Sequence, residues 1–192
     1  AWPEPQIEWR HEAVRWFDQW LKGEDTGILQ EPDFAVYVRN YHAPDPTLDR
    51  VSGYWRWEDG WPIERIENHS WYAHANHSLS TAPAENATHS MTYKPSIGLE
   101  GGGPTMWWGS ILPDQQPMDD YSLVYDSEIL DTPLEILGRP IARLRVSANA
   151  TRANWVVRVS DVAPDGQVTQ VAGAAFNGTH RISAREPSDV VP

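Results

Sequence analysis

The sequence contains no cysteine, which excludes disulfide bonds, thiol catalysis and thiolate metal sites. It also lacks any run of about 20 apolar residues that could span a bilayer. The first residues, Ala1-Trp2-Pro3-Glu4-Pro5, show no basic segment followed by an apolar one, so they do not look like a secretory signal. These absences favour a cytoplasmic protein without a membrane partner, but they leave the compartment open.

Basic residues are also scarce. The chain has 15 Lys and Arg against 27 Asp and Glu, a formal net charge of -12. A surface of this sign repels phosphate backbones, so the composition argues against nucleic acid as a partner. We interpret the acidity as a contribution to solubility.

Phenylalanine is rare and tryptophan is abundant, with 3 and 11 residues respectively. Indole rings bury a large apolar area while keeping one polar group, which suits protein interiors and interfaces. We therefore expect most of these tryptophans to pack in a core or an interface rather than to form a platform for carbohydrate.

Apolar residues recur at steps of three and four between Pro5 and Lys22, as they do on one face of an α-helix. Pro5 suits the first turn of such a helix, and Gly23 suits its C-terminal cap. The sequence predicts one amphipathic helix here, and its apolar face must pack against another surface. That face comprises Ala13, Val14, Phe17, Trp20 and Leu21, opposite Glu8, Arg15 and Asp18.

After this helix the apolar period changes to two, which is typical of β-strands, most clearly at Phe34, Val36 and Val38. A hairpin is predicted around Pro164-Asp165-Gly166, with Trp155, Val157 and Val159 facing inward. The predicted strands that follow run from Tyr54 to Trp57, Ser70 to Ala75, Ser90 to Tyr93, Ser122 to Tyr125, Ile141 to Ala148, Trp155 to Val162 and Val168 to Phe176. The last two are the strands of the hairpin.

This series of short strands predicts a mainly β fold, a sandwich or jelly roll, with one N-terminal α-helix. The stretch from Ser80 to Asp120 is rich in Pro, Gly and Ser and is predicted as a long surface loop around Gly101-Gly102-Gly103-Pro104. Those glycines neither follow a hydrophobic strand nor open a helix, so they do not predict a phosphate-binding loop.

No serine has the setting of a hydrolase nucleophile, which in α/β-hydrolases lies in a Gly-x-Ser-x-Gly turn that exposes the hydroxyl beside backbone donors. Ser96 and Ser110 come closest, and each lacks one of the two glycines. The sequence therefore predicts no catalytic residue in this chain.

His69, His74 and His77 lie near Glu64 and Glu67, and imidazole and carboxylate are zinc ligands. Their spacing does not place three of them on one face of a strand or helix, so we interpret them as histidines that are solvated or lie at a sheet edge. Asp119-Asp120 and Glu24-Asp25 are interpreted as turn residues. Asp161 and Asp165 stay open as a weak cation site, and no cofactor is predicted.

Several motifs, in order and spacing, resemble the cocaine esterase and X-prolyl dipeptidyl-peptidase superfamily of serine hydrolases, and they cover nearly the whole chain. The first is Trp16-Phe17-Asp18-Gln19-Trp20-Leu21-Lys22-Gly23, followed by Asp25-Thr26-Gly27 and Glu31-Pro32. The later ones are Tyr54-Trp55-Arg56-Trp57, Gly60-Trp61-Pro62, Gly101-Gly102-Gly103-Pro104, Asp114-Gln115-Gln116, Asp120-Tyr121-Ser122-Leu123-Val124-Tyr125, Leu134-Glu135-Ile136-Leu137-Gly138 and Ser160-Asp161-Val162-Ala163-Pro164-Asp165-Gly166.

The resemblance implies that residues 1–30 are the last helix and linker of a catalytic α/β-hydrolase domain. It implies that residues 31–192 are most of a C-terminal jelly-roll sandwich, truncated before its final strands. The family's Ser-His-Asp triad would lie upstream, and His11 falls inside the predicted helix, so no catalytic, cofactor-binding or metal-binding residue is assigned here.

The expected function is that of a non-catalytic C-terminal portion, which packs against the missing catalytic domain of an ester- or amide-hydrolysing enzyme and helps to wall its pocket. One alternative is a stand-alone carbohydrate-binding jelly roll, which would show exposed, coplanar tryptophans beside carboxylates. Another is a small hydrolase with an unconventional nucleophile. Open sheet edges also predict self-association, measurable by light scattering.

Overall fold

The computed structural model describes residues 1–94 and 112–188. The chain divides into two compact units, the first formed by residues 1–42 and 48–68 and the second by residues 43–47 and 69–192. Strands predominate over helices in the described ranges, and the main α-helix lies near the N-terminus. The predicted mainly β class is therefore confirmed, whereas the proposed domain boundary between residues 30 and 31 stays a prediction.

The first unit contains a three-stranded sheet of β1 (Trp2–Glu4), β2 (Phe34–Arg39) and β3 (Arg50–Glu58). Strand β3 lies in the centre, parallel to β1 and antiparallel to β2. The strands predicted from the alternation after Phe34 and from Tyr54 to Trp57 both lie in this sheet, so they are confirmed.

Helix α1 (Trp9–Phe17) continues as a π-helical turn, Asp18–Lys22. Gly23 ends it with φ 73°, a left-handed conformation that glycine adopts without strain, so the predicted cap is confirmed. The predicted start at Pro5 is wrong. The helix begins at Trp9, and Pro5 directly follows β1, where its carbonyl oxygen accepts a hydrogen bond from the Trp55 indole N–H at 2.8 Å.

The second unit holds a short pair, β4 (Tyr72–Ala73) with β5 (Leu79–Ser80), a helical turn α2 (Gln116–Asp119), and a hairpin of β6 (Asn154–Val162) with β7 (Val168–Asn177). The hairpin confirms the prediction. Gly166 has φ 88°, and its N–H donates to the carbonyl oxygen of Ala163 at 2.9 Å.

A register shift in the hairpin places Val159 opposite Ala172 and Ser160 opposite Gln170, so the extra residue, Val171, lies in β7. Trp155 and Val157 are half-buried, as predicted, but Val159, next to this irregularity, is exposed. The inward orientation predicted for Val159 is therefore wrong.

Three predicted strands are absent from the described residues: Ser90 to Tyr93, Ser122 to Tyr125 and Ile141 to Ala148 form no ladder, and only Tyr72–Ala73 forms within the segment from Ser70 to Ala75. Apolar periodicity indicates that a segment can adopt the β conformation. A strand also needs a neighbouring strand to form hydrogen bonds with its backbone N–H and C=O groups. The described sheets are separate, with three, two and two strands, and closure into a jelly roll stays a prediction.

The apolar interior of both units is small. The buried hydrophobic residues among those described are Val51, Ile63, Ala163 and Val168, while many large apolar side chains remain exposed. Contiguous exposed apolar surface is typical of interaction sites. None of the helices in the described part of the chain is long and apolar enough to cross a membrane.

Candidate docking surface

The face of α1 that packs against its own chain is polar. The Arg15 guanidinium donates to a Glu12 carboxylate oxygen at 2.6 Å, to Glu31, and to the Thr26 carbonyl oxygen at 3.3 Å. The hydrogen bond to Glu31 and the nearby negative charges raise the pKa of Arg15, so this side chain stays cationic. Arg15 therefore holds α1 against the connector, the segment between the end of the helix and β2.

A second set of contacts closes the same connector on the helix. The Gln19 side-chain oxygen accepts hydrogen bonds from the Thr26 N–H at 3.0 Å and from its hydroxyl at 3.2 Å. Asp25 accepts from the Gly27 N–H at 3.1 Å, the turn role predicted for it. Consequently the polar face of the helix is occupied within the first unit.

The apolar face of α1 and its π-helical turn is directed to solvent. Leu21 is 78% exposed, Phe17 56% and Trp20 55%, and Trp9, Val14 and Trp16 are exposed as well. Of the predicted stripe, Val14, Phe17, Trp20 and Leu21 are therefore exposed, whereas Ala13 is half-buried. We call this stripe of Trp9, Val14, Trp16, Phe17, Trp20 and Leu21 the apolar helix face.

The aromatic pairs that include a tryptophan within the described residues do not form a flat platform. Trp16 and Trp20 have ring centroids 5.7 Å apart at an interplanar angle of 53°, and the pairs Tyr37–Trp55 and Phe34–Trp61 are tilted by 56° and 58°. A sugar ring stacks on coplanar aromatic faces, so these pairs do not meet the geometric expectation for the carbohydrate alternative. Tilted rings of this kind are typical of protein packing.

A shallow cavity of about 420 Å³ lies beside the polar face, lined by Glu12, Arg15, Glu31, Pro32 and Trp57. Its walls combine an ion-paired guanidinium with an indole ring and a proline. Such a lining can accept a side chain from a partner, but it carries no nucleophile and no base positioned to activate one.

His74 and His77 of the second unit contact different groups. His74 Nε2 lies 2.9 Å from the Ser80 hydroxyl, and His77 Nδ1 lies 3.0 Å from the Val124 carbonyl oxygen. Among residues 1–94 and 112–188, no group of three or more His, Asp or Glu side chains could hold a metal ion, and this covers the group of His69, Glu64 and Glu67.

His89, which no sequence motif predicted as a site residue, completes an aromatic cluster. Its ring stacks on His77 at 4.3 Å with an interplanar angle of 8°, and His77 also stacks on Tyr125 at 5.3 Å. His89 Nε2 lies 3.2 Å from the Ala75 carbonyl oxygen and must donate there, so Nδ1 accepts from the Tyr125 hydroxyl at 2.5 Å. The cluster therefore joins three segments that are remote in sequence.

The predicted carboxylate pairs behave differently from one another. Asp119 accepts from Arg158 at 3.1 Å, and burial raises its pKa despite that cation, so it is more than a turn residue. Asp165 accepts from the Gln167 N–H at 3.1 Å within the hairpin turn, and Asp161 pairs with Thr169 in the ladder. Ser96, Ser110 and the segment Gly101-Gly102-Gly103-Pro104 lie outside the described residues.

Comparisons with known proteins identify related chains. A family model described as the X-Pro dipeptidyl-peptidase C-terminal non-catalytic domain matches residues 26–192. A protein named as a serine esterase in Mycobacterium bovis is 25% identical over 184 residues, which are 92% of this chain and 27% of the relative. The cocaine esterase of a Rhodococcus species is 26% identical over 201 residues, 97% of this chain and 32% of the relative.

The chain thus spans roughly a quarter to a third of the length of these curated relatives, which are 27% and 32% covered. A protein of Mycobacterium tuberculosis, also named as a serine esterase, matches with the same identity and coverage as the M. bovis protein. The comparison with solved structures gave no significant match.

Proposed function

The chain belongs to the X-Pro dipeptidyl-peptidase C-terminal non-catalytic domain family, and from this membership we propose that it serves a serine hydrolase as a docked, non-catalytic domain. In this proposal the parent enzyme cleaves esters or amides through an acyl-enzyme, and the triad lies in the part of the protein outside these residues. The apolar helix face makes the contact with the hydrolase domain.

One observation carries the docking proposal: α1 directs its polar face to its own chain and its apolar face to solvent. An amphipathic helix normally buries its apolar stripe, because removing that stripe from water supplies most of its stabilisation. Here the polar side, at Arg15, packs on the chain and the apolar side, at Leu21, faces solvent. This arrangement supports a partner that covers Leu21 and its neighbours.

The lengths of the relatives support the choice of partner. About two thirds or more of each relative lies outside the matched region, since the match covers 27% and 32% of them. Two of these proteins are named serine esterases and one a cocaine esterase, so the remaining part has the size and the named activity of a hydrolase domain. We propose that such a domain covers the apolar helix face.

The non-catalytic part of the proposal is tested with a fluorophosphonate probe, which modifies activated serines. The purified chain is incubated with the probe, and its intact mass is measured beside the hydrolase domain encoded with it. We expect no adduct on this chain and one adduct on the hydrolase domain. A stoichiometric adduct on this chain contradicts the proposal, and peptide mapping then names the serine.

The docking part is tested by calorimetry between this chain and that hydrolase domain. Leu21→Asp places a charge in the middle of the apolar helix face, so we expect affinity to fall at least about tenfold. Leu29→Asp is the matched control, because Leu29 is also an exposed leucine of the first unit but lies beyond the helix. Equal affinity for both variants contradicts docking through this face.

A further inference from the structure

Asn177 is the one asparagine of the sequence that is followed by glycine, Gly178. The backbone nitrogen of the following residue can attack the side-chain carbonyl carbon of an asparagine and close a five-membered ring. Glycine has no Cβ and a mobile backbone, so it hinders this approach least. The sequence therefore places the pair most reactive in asparagine deamidation at a single position. The asparagines that precede a residue with a side chain are Asn40, Asn68, Asn76, Asn86, Asn149 and Asn154.

In the folded chain, the attacking nitrogen of this pair is engaged elsewhere. The Gly178 N–H donates to the carbonyl oxygen of Ala153 at 2.9 Å, and Gly178 is buried at the end of the β6–β7 hairpin. Ring closure requires this nitrogen to lose its proton to water or hydroxide, and a buried, hydrogen-bonded amide loses it slowly. Asn177 also has ψ 115°, which turns the Gly178 nitrogen away from the Asn177 side chain.

The side chain under attack is held as well. Asn177 Oδ1 accepts hydrogen bonds from the Thr179 N–H at 3.1 Å and from the Thr179 hydroxyl at 2.9 Å. Thr179 is buried, and its carbonyl oxygen accepts from the Ser188 N–H at 2.8 Å and from the Ser188 hydroxyl at 3.1 Å. Contacts with Ala153 and Ser188, which are remote in sequence from each other, therefore hold the reactive pair in an unreactive geometry.

We propose that Asn177 is a deamidation site that the fold protects and that reacts when this end of the hairpin opens. In the reaction, the deprotonated Gly178 nitrogen forms a bond to Asn177 Cγ, and the bond from Cγ to Nδ2 breaks. Ammonia leaves with the proton that Gly178 lost, and the product is a succinimide. Water then adds to one of the two ring carbonyl carbons, which yields aspartate or isoaspartate.

The two products differ in their effect on the hairpin. An aspartate at position 177 keeps an oxygen that accepts from the Thr179 N–H, as the asparagine does. An isoaspartate carries an extra methylene group in the backbone, so the residue no longer fits opposite Asn154 in the ladder. Isoaspartate formation therefore makes a transient opening of the hairpin permanent. This site lies in the second unit and does not depend on docking through α1.

The test compares the full 192-residue chain with a synthetic peptide of residues 172–184, in which the pair has no fold around it. Both are incubated in the same mildly alkaline buffer. Peptide mapping by mass spectrometry measures the loss of Asn177, and an enzymatic assay measures isoaspartate. We expect the peptide to deamidate at Asn177 and the folded chain to do so at least about tenfold more slowly, because only its open fraction reacts.

Thr179→Val removes the hydroxyl that donates to Asn177 and keeps the shape of the side chain. We expect it to raise the deamidation rate of the folded chain at least about twofold, because the loss of one hydrogen bond increases the open fraction. Thr132→Val makes the same change at an exposed position of the second unit and is expected to leave the rate unchanged. The peptide with Thr179→Val is expected to react at the rate of the unmodified peptide, since it has no fold to open.

The comparison of the chain with the peptide needs no variant, so it decides even where Thr179→Val does not fold. Hydrogen exchange with mass spectrometry on the same chains measures opening at Gly178, and we expect the exchange and deamidation rates to rise together. Equal deamidation of the folded chain and the peptide, an unreacted Asn177 in the peptide, or equal rates in the two threonine variants overturns the proposal.

Discussion

The Tyr37 hydroxyl lies against the Cα of Gly53, so closely that a Cβ at position 53 would come within 2.9 Å of the hydroxyl oxygen and closer still to the Val38 carbonyl oxygen. The hydroxyl also connects three chain segments. It accepts from the Glu4 N–H at 2.9 Å and lies within hydrogen-bond distance of the carbonyl oxygens of Glu4, at 2.8 Å, and Val51, at 2.7 Å. Gly53 therefore lets the tyrosine join β1, β2 and β3.

Gly53→Ala is expected to destabilise the first unit. The added methyl group cannot occupy its position unless Tyr37 or the backbone of β2 moves, and overpacking of this kind costs about 1–3 kcal/mol. Urea denaturation followed by tryptophan fluorescence measures the change, and we expect a lower midpoint with an unchanged slope.

Gly60→Ala is the matched control for that experiment. A Cβ on Gly60 would have its nearest neighbour, an Asp33 carboxylate oxygen, at 3.6 Å, which is ordinary contact. We expect its midpoint to stay close to that of the unmodified chain. If both alanine variants unfold at the same urea concentration, the close approach of Tyr37 does not constrain position 53.

Glu58 makes the stability of the first unit depend on pH. Its side chain is only 3% exposed and accepts from Arg65 and, at 2.7 Å, from Arg56. Hydrogen bonds from these arginines, Arg65 foremost, lower the pKa of Glu58 below its ordinary value of 4.5. The ionised Glu58 therefore stabilises the folded unit fully at pH values above 4.5, its ordinary pKa. This stabilisation is lost as pH falls through the lowered pKa of the folded state.

Glu58→Gln keeps an oxygen acceptor but removes the charge. We expect the variant to be less stable than the unmodified chain at pH 7, and we expect the difference to shrink as pH falls below 4.5 and through the lowered pKa of Glu58. Urea midpoints at several pH values measure this. Glu64→Gln, at an exposed position of the same unit, is the control, and a difference that is constant with pH contradicts the assignment.

Arg158 connects α2 to the hairpin in the second unit. Its guanidinium donates to the Gln115 side-chain oxygen at 2.8 Å and to Asp119 at 3.1 Å, and Gln115 is 0% exposed. Arg158→Met removes the donor from a buried acceptor, so we expect a loss of about 1–3 kcal/mol. Arg152→Met, at an exposed position before β6, is expected to have little effect.

The loss at Arg158 is expected to be larger at pH 7 than at pH 4. Burial already raises the pKa of Asp119, and Arg158 opposes that rise, so its removal raises the pKa further. A carboxyl group with a raised pKa in the folded state favours folding at low pH and loses that contribution as pH rises. Thermal unfolding at the two pH values checks this, and a greater loss at pH 4 contradicts it.

Some features of this protein follow from local sequence alone. The alternation after Phe34, the Pro164-Asp165-Gly166 turn and the Gly23 cap each depend on a few adjacent residues, and each appears in the structure where it was predicted. Local signals succeed because backbone conformation and side-chain direction are properties of neighbouring residues. The apolar stripe of α1 was predictable for the same reason.

Other features depend on tertiary contacts between segments that are distant in sequence. The alternation from Ile141 to Ala148 is as regular as that of a strand, but a ladder also requires a second segment, and none is described beside it. His89 meets His77 and Tyr125 only because folding brings remote segments together. Contacts of Arg15 with Thr26 and Glu31 determine which face of α1 packs on its own chain. Such contacts join the helix to a later segment, so the apolar periodicity of the helix does not predict them.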